Sequence, residues 1–321
     1  MELAIQTPPE HTDYARLRDT WQAADELGLA AAFTFDHFVP LSLGIAPRIA
    51  GPVPHGPQFE GWTMAAALAT STRRLSVGTL VSGITYRNPA LLAKMAVTLD
   101  HITGGRSVLG IGAGWHETEH TMYGFDFPSA GERVGMLEET LEAFGLLCNS
   151  THPVDYRGRY VHLTNACFDP KPLQAGGIPI LIGGKGRRVR RITAQHADWY
   201  NGFWAPWDWP RINDELDEEL ARAGRQPGEV KRTVAVFSDL SGDPATTNQM
   251  VTLLQGDSGE TREQVQARIV AGSIDQMIAV LASYAKAGVN MVILSIRPDQ
   301  GADELARFCE SVLPACHGLG E

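Results

Sequence analysis

The sequence predicts an α/β fold, a closed (β/α)8 barrel. Three observations carry this prediction. Short strand-like runs alternate with longer helix-like runs along the chain. The strand-like runs are almost continuously apolar, as in a parallel sheet covered on both faces. There are eight of them, the number that closes a barrel of alternating strands and helices. With 321 residues, 44% of them hydrophobic, the chain is long enough for one such barrel, and residues 1–321 are read as a single domain.

The elements follow in order. Leu3–Thr7 is a buried strand, and "YARLRDTWQAADELG" carries apolar residues at helical spacing up to a stop at Gly28. Ala30–Phe35 is the second strand, ending in Asp36, His37 and Phe38. The Pro/Gly-rich run "VPLSLGIAPRIAGPVPHGPQFEG" is long for a strand-to-helix connection, and long loops in compact domains are often functional. After the helical "WTMAAALATST" come the third strand, "RLSVGTLVSG", and the helix "NPALLAKMAVTLDHIT", stopped by Gly104 and Gly105. Ser107–Gly114 is the fourth strand. The "WHETEHTMYGFDFP" that follows shows no clear helix, whereas "GERVGMLEETLEAFGLLCN" is strongly amphipathic.

"IPILIGG" is the fifth strand, with a helix opening in the basic segment behind it. "ADWYNGF", "VKRTVAVFSDL" and "VNMVILSI" are the sixth to eighth strands, each followed by helical sequence. Two stretches break the alternation, near residues 151–172 and 242–272. Both are read as insertions, the second as a candidate lid.

Composition excludes several function classes. A formal net charge of −10 argues against nucleic-acid binding, which needs a broad basic face. Cys148, Cys167, Cys309 and Cys316 show neither C-x-x-C nor zinc spacing, so they read as reduced thiols of a cytoplasmic protein, with no metal site. The N-terminus lacks a basic region followed by a long apolar one. The run "LGLAAAFTF" is too short to span a bilayer.

Two glycine motifs invite a phosphate reading. "GIGAG" (Gly110, Gly112, Gly114) has the wrong spacing for a dinucleotide fingerprint, and glycines at a strand end also permit close packing. "GGKG" at Gly183–Gly186 fails as a P-loop, because Gly186 stands where Ser or Thr is needed. It nevertheless precedes Lys185, Arg187, Arg188, Arg190 and Arg191, five cations within seven positions of an acidic chain. A glycine turn exposing N–H groups at a helix N-terminus suits an anion. The alternative is a solvated charged helix face. Residues three or four apart share a face, so Arg187 and Arg191 are expected to point together.

Taken together, "VGTLVSGITYRNPALLAKMAVTLDHITGGRSVLGIGAGWHETEH", "DHFVP", "FEGWTMAAALATST", "GERVGMLEETLEAF", "YRGRYVHLTNACFDPKPLQ", "IPILIGGKG" and "AGVNMVILSI" resemble, in order and spacing, the bacterial luciferase-like superfamily, in particular its coenzyme F420-dependent oxidoreductase branch. The resemblance covers most of the chain and is weak around 40–56 and 242–272. It implies a luciferase-like barrel with the cofactor at the C-terminal strand ends. The cofactor is F420, or alternatively FMN as in luciferase-like monooxygenases.

The resemblance further implies that the cofactor phosphate sits near Gly183 and Gly184 with Lys185 and Arg187 beside it. A non-proline cis peptide, aligned at Leu80–Val81, would back the cofactor ring, and Gly114 and Trp115 would border it. His37 matches a substrate-pocket histidine of relatives, and a neutral imidazole can give or take a proton near neutral pH. Trp115 occupies the position where some F420 enzymes carry a catalytic glutamate, which leaves Glu117 as second choice for acid–base chemistry.

The expected activity is hydride transfer between the deazaflavin C5 and a small organic substrate, by a homodimer without nucleic-acid or membrane partners. A non-catalytic flavin-binding protein is the reading from another class, since fold alone does not settle function. The tryptophan-rich "FWAPWDWP" reads equally as pocket lining, core or dimer surface, and Arg297 either reaches an anion or is solvated.

Overall fold

A computed structural model describes residues 1–41, 56–256, 258–297 and 299–316. Its elements run β1 (Glu2–Gln6), α1 (Tyr14–Glu26), β2 (Ala31–Thr34), α2 (Gly61–Ala69), β3 (Ser76–Thr79), β4 (Ser82–Gly83), α3 (Pro89–Thr103), β5 (Ser107–Gly112), α4 (Glu117–Tyr123) and α5 (Ala130–Asn149). After them come a hairpin of β6 (Val154–Arg157) and β7 (His162–Ala166), then β8 (Ile180–Gly183), α6 (Arg187–His196), β9 (Trp199–Gly202) and α7 (Trp209–Arg222). The chain continues with β10 (Lys231–Phe237), α8 (Pro244–Gln255), α9 (Arg262–Gln266), α10 (Ile274–Lys286), β11 (Met291–Ser295) and α11 (Ala302–Cys316).

Around the barrel the strands lie in the order β1, β2, β3, β5, β8, β9, β10, β11, all parallel. The β10–β11, β11–β1 and β3–β5 pairings complete the ring. The apolar strands are explained by the period-2 alternation of a pleated strand. Ala4, Phe33, Val108, Leu181 and Ile293 point into the barrel. Their neighbours Ile5, Ala32, Leu109, Ile182, Val292 and Leu294 pack outward against the helices, with Trp21, Leu68, Leu216 and Phe308.

At the N-terminal ends of the strands, acidic side chains, Asp25 and Asp100 buried and Asp198 exposed, accept backbone N–H groups. Asp25 takes those of Arg73, Arg74 and Leu75, ahead of β3. Asp100 takes those of Leu173 and Gln174 and the Ser107 hydroxyl, and Asp198 takes that of Ile180. Such bonds keep the three carboxylates in the service of the fold.

The third barrel strand is interrupted. β3 ends at Thr79, β4 resumes at Ser82, and the Leu80–Val81 peptide between them is cis, at the position expected. Leu80 joins the inner apolar cluster, and its carbonyl accepts the Gln6 side-chain amide at 2.8 Å. Val81 lies over β5 and β8. A Cβ at Gly112 would come within 2.9 Å of a Val81 methyl, and one at Gly183 within 3.2 Å. A Cβ at Gly110 would fall inside the contact distance of the Thr79 carbonyl. Gly110 and Gly112 of "GIGAG" are therefore packing glycines.

Three further expectations meet the structure here. The segment after the fourth strand does contain a helix, α4, with His116 as its N-cap. The first insertion is the β6–β7 hairpin, whose turn is held by Glu139 of α5 accepting the N–H groups of Arg159, Tyr160 and Val161. The second is the α8–α9 pair, with its own apolar cluster of Met250, Val251, Val265, Ile269 and Ala271. It is anchored to the end of β10 by reciprocal backbone bonds between Phe237, Asp239 and Val270. The long Pro/Gly-rich loop after the second strand falls largely on 42–55, outside the described residues.

Gly110→Ala is expected to lower stability by about 1–3 kcal/mol, since over-packing a close backbone approach forces the strands apart. Gly145→Ala in α5, where a Cβ meets nothing within 4 Å, should instead raise stability by up to about 1 kcal/mol. Denaturant melts of both variants check the opposite signs.

Candidate active site at the C-terminal face of the barrel

The C-terminal strand ends bring together side chains that bond to one another rather than to backbone alone. At the end of β2, Asp36 is buried and receives both Nη groups of Arg87, with Nη2 at 2.9 Å. Arg87 also pairs with Glu60, the N-cap of α2. One guanidinium thus ties β2, the segment after β4 and the start of α2. Gly61 opens α2 directly against the Phe35 carbonyl, where any Cβ would clash.

This cluster fixes the backbone on which the next residue, His37, stands. His37 is 9% exposed, and its Nδ1 lies 2.6 Å from Glu119 Oε1. Glu119, on α4, is fully buried. It also accepts the Phe38 N–H at 2.9 Å and the Tyr86 hydroxyl. Burial alone raises the proton affinity of Glu119, but the bonds from His37, Tyr86 and the Phe38 N–H outweigh it, so its pKa lies below the ordinary carboxylate value. Burial, reinforced by the bond to Glu119, pushes the Tyr86 phenol up.

The other face of the imidazole is lined by rings, with Trp115 at 5.6 Å, Phe35 at 5.3 Å and His116 at 6.0 Å between centroids. Trp115 is itself 59% exposed. Burial lowers the pKa of His116. Glu10, 2% exposed, accepts the Leu41 N–H and lies close enough to His37 for their charges to interact; burial raises its pKa.

On the opposite part of the chain, Gly183 and Gly184 end β8, and Lys185 stands exposed with Nζ 4.9 Å from the Trp204 ring centroid. Gly186 is the N-cap of α6 and carries no side chain to cap it. The basic run divides. Arg190 is buried, bonded to the Lys185 carbonyl and paired with Glu215. Arg188 and Arg191 pair with Glu138 of α5. Arg187 lies 3.7 Å from Glu219 of α7 and is 77% exposed along its side chain. Arg187 and Arg191 therefore do not point together. Their long side chains diverge to acidic residues on the two neighbouring helices.

At the end of β10, buried Asp239 accepts Gln300 Nε2 at 2.7 Å and the Ser241 hydroxyl at 2.8 Å. Arg297 is neither solvated nor free: it chelates Asp299, with Nη1 4.0 Å from Asp239. The tryptophans separate too. Trp209 is core, Trp62 donates to Ser82 at 2.6 Å, Trp204 is half-buried against the Tyr200 hydroxyl, and Trp207 is exposed.

Against this geometry, the profile of the luciferase-like monooxygenase family matches residues 1–248. The chain belongs to that family. It is 26% identical over 322 residues to a protein of Amycolatopsis mediterranei (strain U-32) described as an F420-dependent glucose-6-phosphate dehydrogenase, covering 92% of this chain and 93% of that one. An F420-dependent secondary alcohol dehydrogenase, solved with an F420–acetone adduct, superposes with a TM-score of 0.83 at 19% identity over 98% of each chain. A riboflavin lyase solved with modified FMN superposes with a TM-score of 0.79 at 15% identity, over 100% of this chain and 92% of that one.

Within this luciferase-like barrel, the structure gathers His37 and Trp115 at one part of the mouth, and Gly183, Gly184 and Lys185 at another. Gly114, with φ of 75°, turns the chain out of β5, and a Cβ there would lie 3.1 Å from the Thr85 hydroxyl. Glu117 is exposed at the first turn of α4 and makes no bond to His37. The carboxylate that reaches His37 is Glu119, two residues on. Sequence reasoning missed Glu119, Tyr86, Arg87 and Glu10. The signal for Glu119 was helical: in a helix starting at Glu117, residues 116, 119 and 120 share the face turned to the barrel.

Replacing Arg87 by Met should cost about 3–5 kcal/mol, because Asp36 then keeps a buried charge without its partner. The Arg87→Met, Asp36→Asn double variant should recover part of that loss. Chemical melts of the parent, Arg87→Met, Asp36→Asn and the double variant form the cycle; additive losses would show that the pair contributes nothing as a pair.

Proposed function

We propose that this luciferase-like protein is a coenzyme F420-dependent oxidoreductase in which His37 exchanges the proton that accompanies hydride transfer to or from a small organic substrate. The observation that carries the proposal is the placement of one buried, carboxylate-held histidine on the same barrel face as an uncapped helix N-terminus flanked by lysine. The residues fit an anionic flavin-like cofactor. The first-turn N–H groups of α6 have no side-chain cap, Gly183 and Gly184 leave the approach to them clear of side chains, and Lys185 supplies a positive charge.

Lys185 and Arg187 would meet the cofactor phosphate, and Leu80 and Val81 would lie behind its ring, bordered by Gly114 and Trp115. When bound, the deazaflavin accepts or delivers a hydride at C5, a two-electron exchange with the substrate.

The rest of the chemistry belongs to the protein. With Nδ1 engaged by Glu119, His37 presents Nε2 to the substrate. A carbonyl carbon that gains a hydride needs a proton at its oxygen, and the imidazolium supplies it; in the reverse direction the neutral imidazole removes it. Trp115, in place of a carboxylate, leaves the proton work to His37 and shields the site from water. Glu117, exposed on α4, is retained only as a surface group beside the mouth.

FMN-dependent monooxygenation is the second reading, favoured by the riboflavin lyase likeness. A cytoplasmic homodimer is proposed as the working form. Leu91 and Ile102, exposed on one face of α3, support it by offering apolar surface to a second copy. Among the described residues no helix is long and apolar enough to cross a membrane.

Quenching of cofactor fluorescence should show tighter binding of F420 than of FMN. Lys185→Glu should weaken F420 binding by about tenfold or more at low salt and less at high salt. Tight FMN binding without any F420 binding would overturn the cofactor assignment. His37→Ala should lower single-turnover cofactor oxidation by roughly 10²–10⁴-fold with cofactor affinity little changed. Unchanged turnover excludes the proton role.

A further inference from the structure

We infer that Glu119, braced by Tyr86, is a positioning residue that sets the tautomer and orientation of His37. This inference rests on the proposed proton role of His37, which Glu119 does not share because it touches no reacting atom. Two observations carry it. Glu119 is fully buried, yet every bond it makes is to a neighbour of the reacting group: Nδ1 of His37, the N–H of Phe38 and the hydroxyl of Tyr86. The buried acids at the other end of the barrel, Asp25 and Asp100, instead take N–H groups of connecting loops. A carboxylate confined in this way is not needed to satisfy the strand ends.

The geometry has a definite chemical consequence. A carboxylate can only accept, so the neutral imidazole must carry its proton on Nδ1 and leave the Nε2 lone pair toward the mouth. The same negative charge stabilises the imidazolium. Tyr86 donates to the same oxygen, Oε1, that receives the His37 proton, so it restrains the carboxylate and draws on its charge. The other groups facing His37 are Glu10 from the segment after β1, His116 from the start of α4, and the Asp36–Arg87 pair beneath it; His120 lies behind Tyr86 at 4.7 Å between rings. Glu119 is the one among them bonded directly to the ring among the described residues.

The balanced step is simple. In the reducing direction the carbonyl carbon would gain a hydride from a bound reduced deazaflavin, which would be left oxidised; the C=O π pair would move to oxygen, and the Nε2–H proton of His37 would complete the alcohol. His37 is left neutral with its remaining proton on Nδ1, held by Glu119. Amide replacement of Glu119 removes the charge and allows an NH2 group to face Nδ1, which favours the opposite tautomer.

The test has a readout that needs neither cofactor nor substrate. Imidazole 15N shifts of histidine-labelled protein are recorded against pH for the parent, Glu119→Gln and Tyr86→Phe, with His37→Gln assigning the signal. The parent should show the Nδ1–H tautomer when neutral. Glu119→Gln should populate the Nε2–H form. Tyr86→Phe, which leaves the Glu119 carboxylate in place, should keep the Nδ1–H form.

In turnover, Glu119→Gln should cost about 10²-fold in kcat with little change in KM, and should cost nothing further in a His37→Ala background. An unchanged tautomer in Glu119→Gln, or a cost fully additive with His37→Ala, would overturn the inference. Should Glu119→Gln fail to fold, Glu119→Asp with the same spectra decides, its shortened reach predicting a partial loss of the Nδ1–H form. If instead the spectra behave as stated but His37→Ala turns over normally, the proton role fails while the positioning of the ring stands.

Discussion

The placement of Val81 over β5 and β8 is the constraint on which the rest of this site depends. The third barrel strand is interrupted at Leu80–Val81, and the neighbouring strands fit against Thr79 and Val81 only because positions 110, 112 and 183 carry no side chain. With Val81 there, Gln6 holds the Leu80 carbonyl and is itself held by Ser295. One polar chain thus links the third barrel strand through the first to the last. The glycines have two jobs that sequence alone does not separate: they make room for the third strand, and at Gly183–Gly184 they also clear the approach to the start of α6.

Burial distributes charge in this protein by barrel end. At the N-terminal ends of the strands, acidic side chains accept backbone N–H groups and are spent on the fold. At the C-terminal ends, the buried carboxylates of Asp36, Glu119 and Asp239 bond to side chains that border the mouth, respectively Arg87, His37 and Gln300. Loops at this end of a (β/α)8 barrel carry chemistry because the strands beneath them are already rigid. A carboxylate fixed there by several donors loses little further freedom when it acts on a neighbour, which is what preorganisation requires.

The basic segment behind the fifth strand illustrates how an acidic protein uses a local cluster of cations. Arg188, Arg190 and Arg191 pair with Glu138 and Glu215 and so fasten α6 between α5 and α7. That clamping aims the N-terminus of α6 at the mouth. Exposed pairs of this kind contribute little each, but Arg190 is buried and also bonds the Lys185 carbonyl. It thereby fixes the turn that presents Lys185. The cluster splits between anchoring and recognition.

The barrel itself was legible in the sequence, because apolar period and glycine punctuation are local signals. Eight runs such as "LAIQT" and "VNMVILSI" could only be strands buried on two faces, and the helices between them carry their own stop residues. The broken third strand was legible through the match of "VGTLV" to a known pattern, and His37 through its place at a strand end. The partner of His37 was not. Choosing Glu119 over Glu117 requires knowing that α4 is a helix and which way it faces, and that is decided by packing of His120 and Phe125 against Tyr86.

Nor could the sequence say which arginines were free. Side chains that share a helix face by spacing reach different neighbours when acids wait on both sides, as Arg187 and Arg191 do. The sequence by itself determined the fold, the family and the strand end that bears the histidine, since those follow from pattern along the chain. Tertiary structure alone decided which carboxylate holds that histidine and which cations stay available, since both depend on distances between segments about 30 to 80 residues apart in the chain and on the burial that makes such contacts strong.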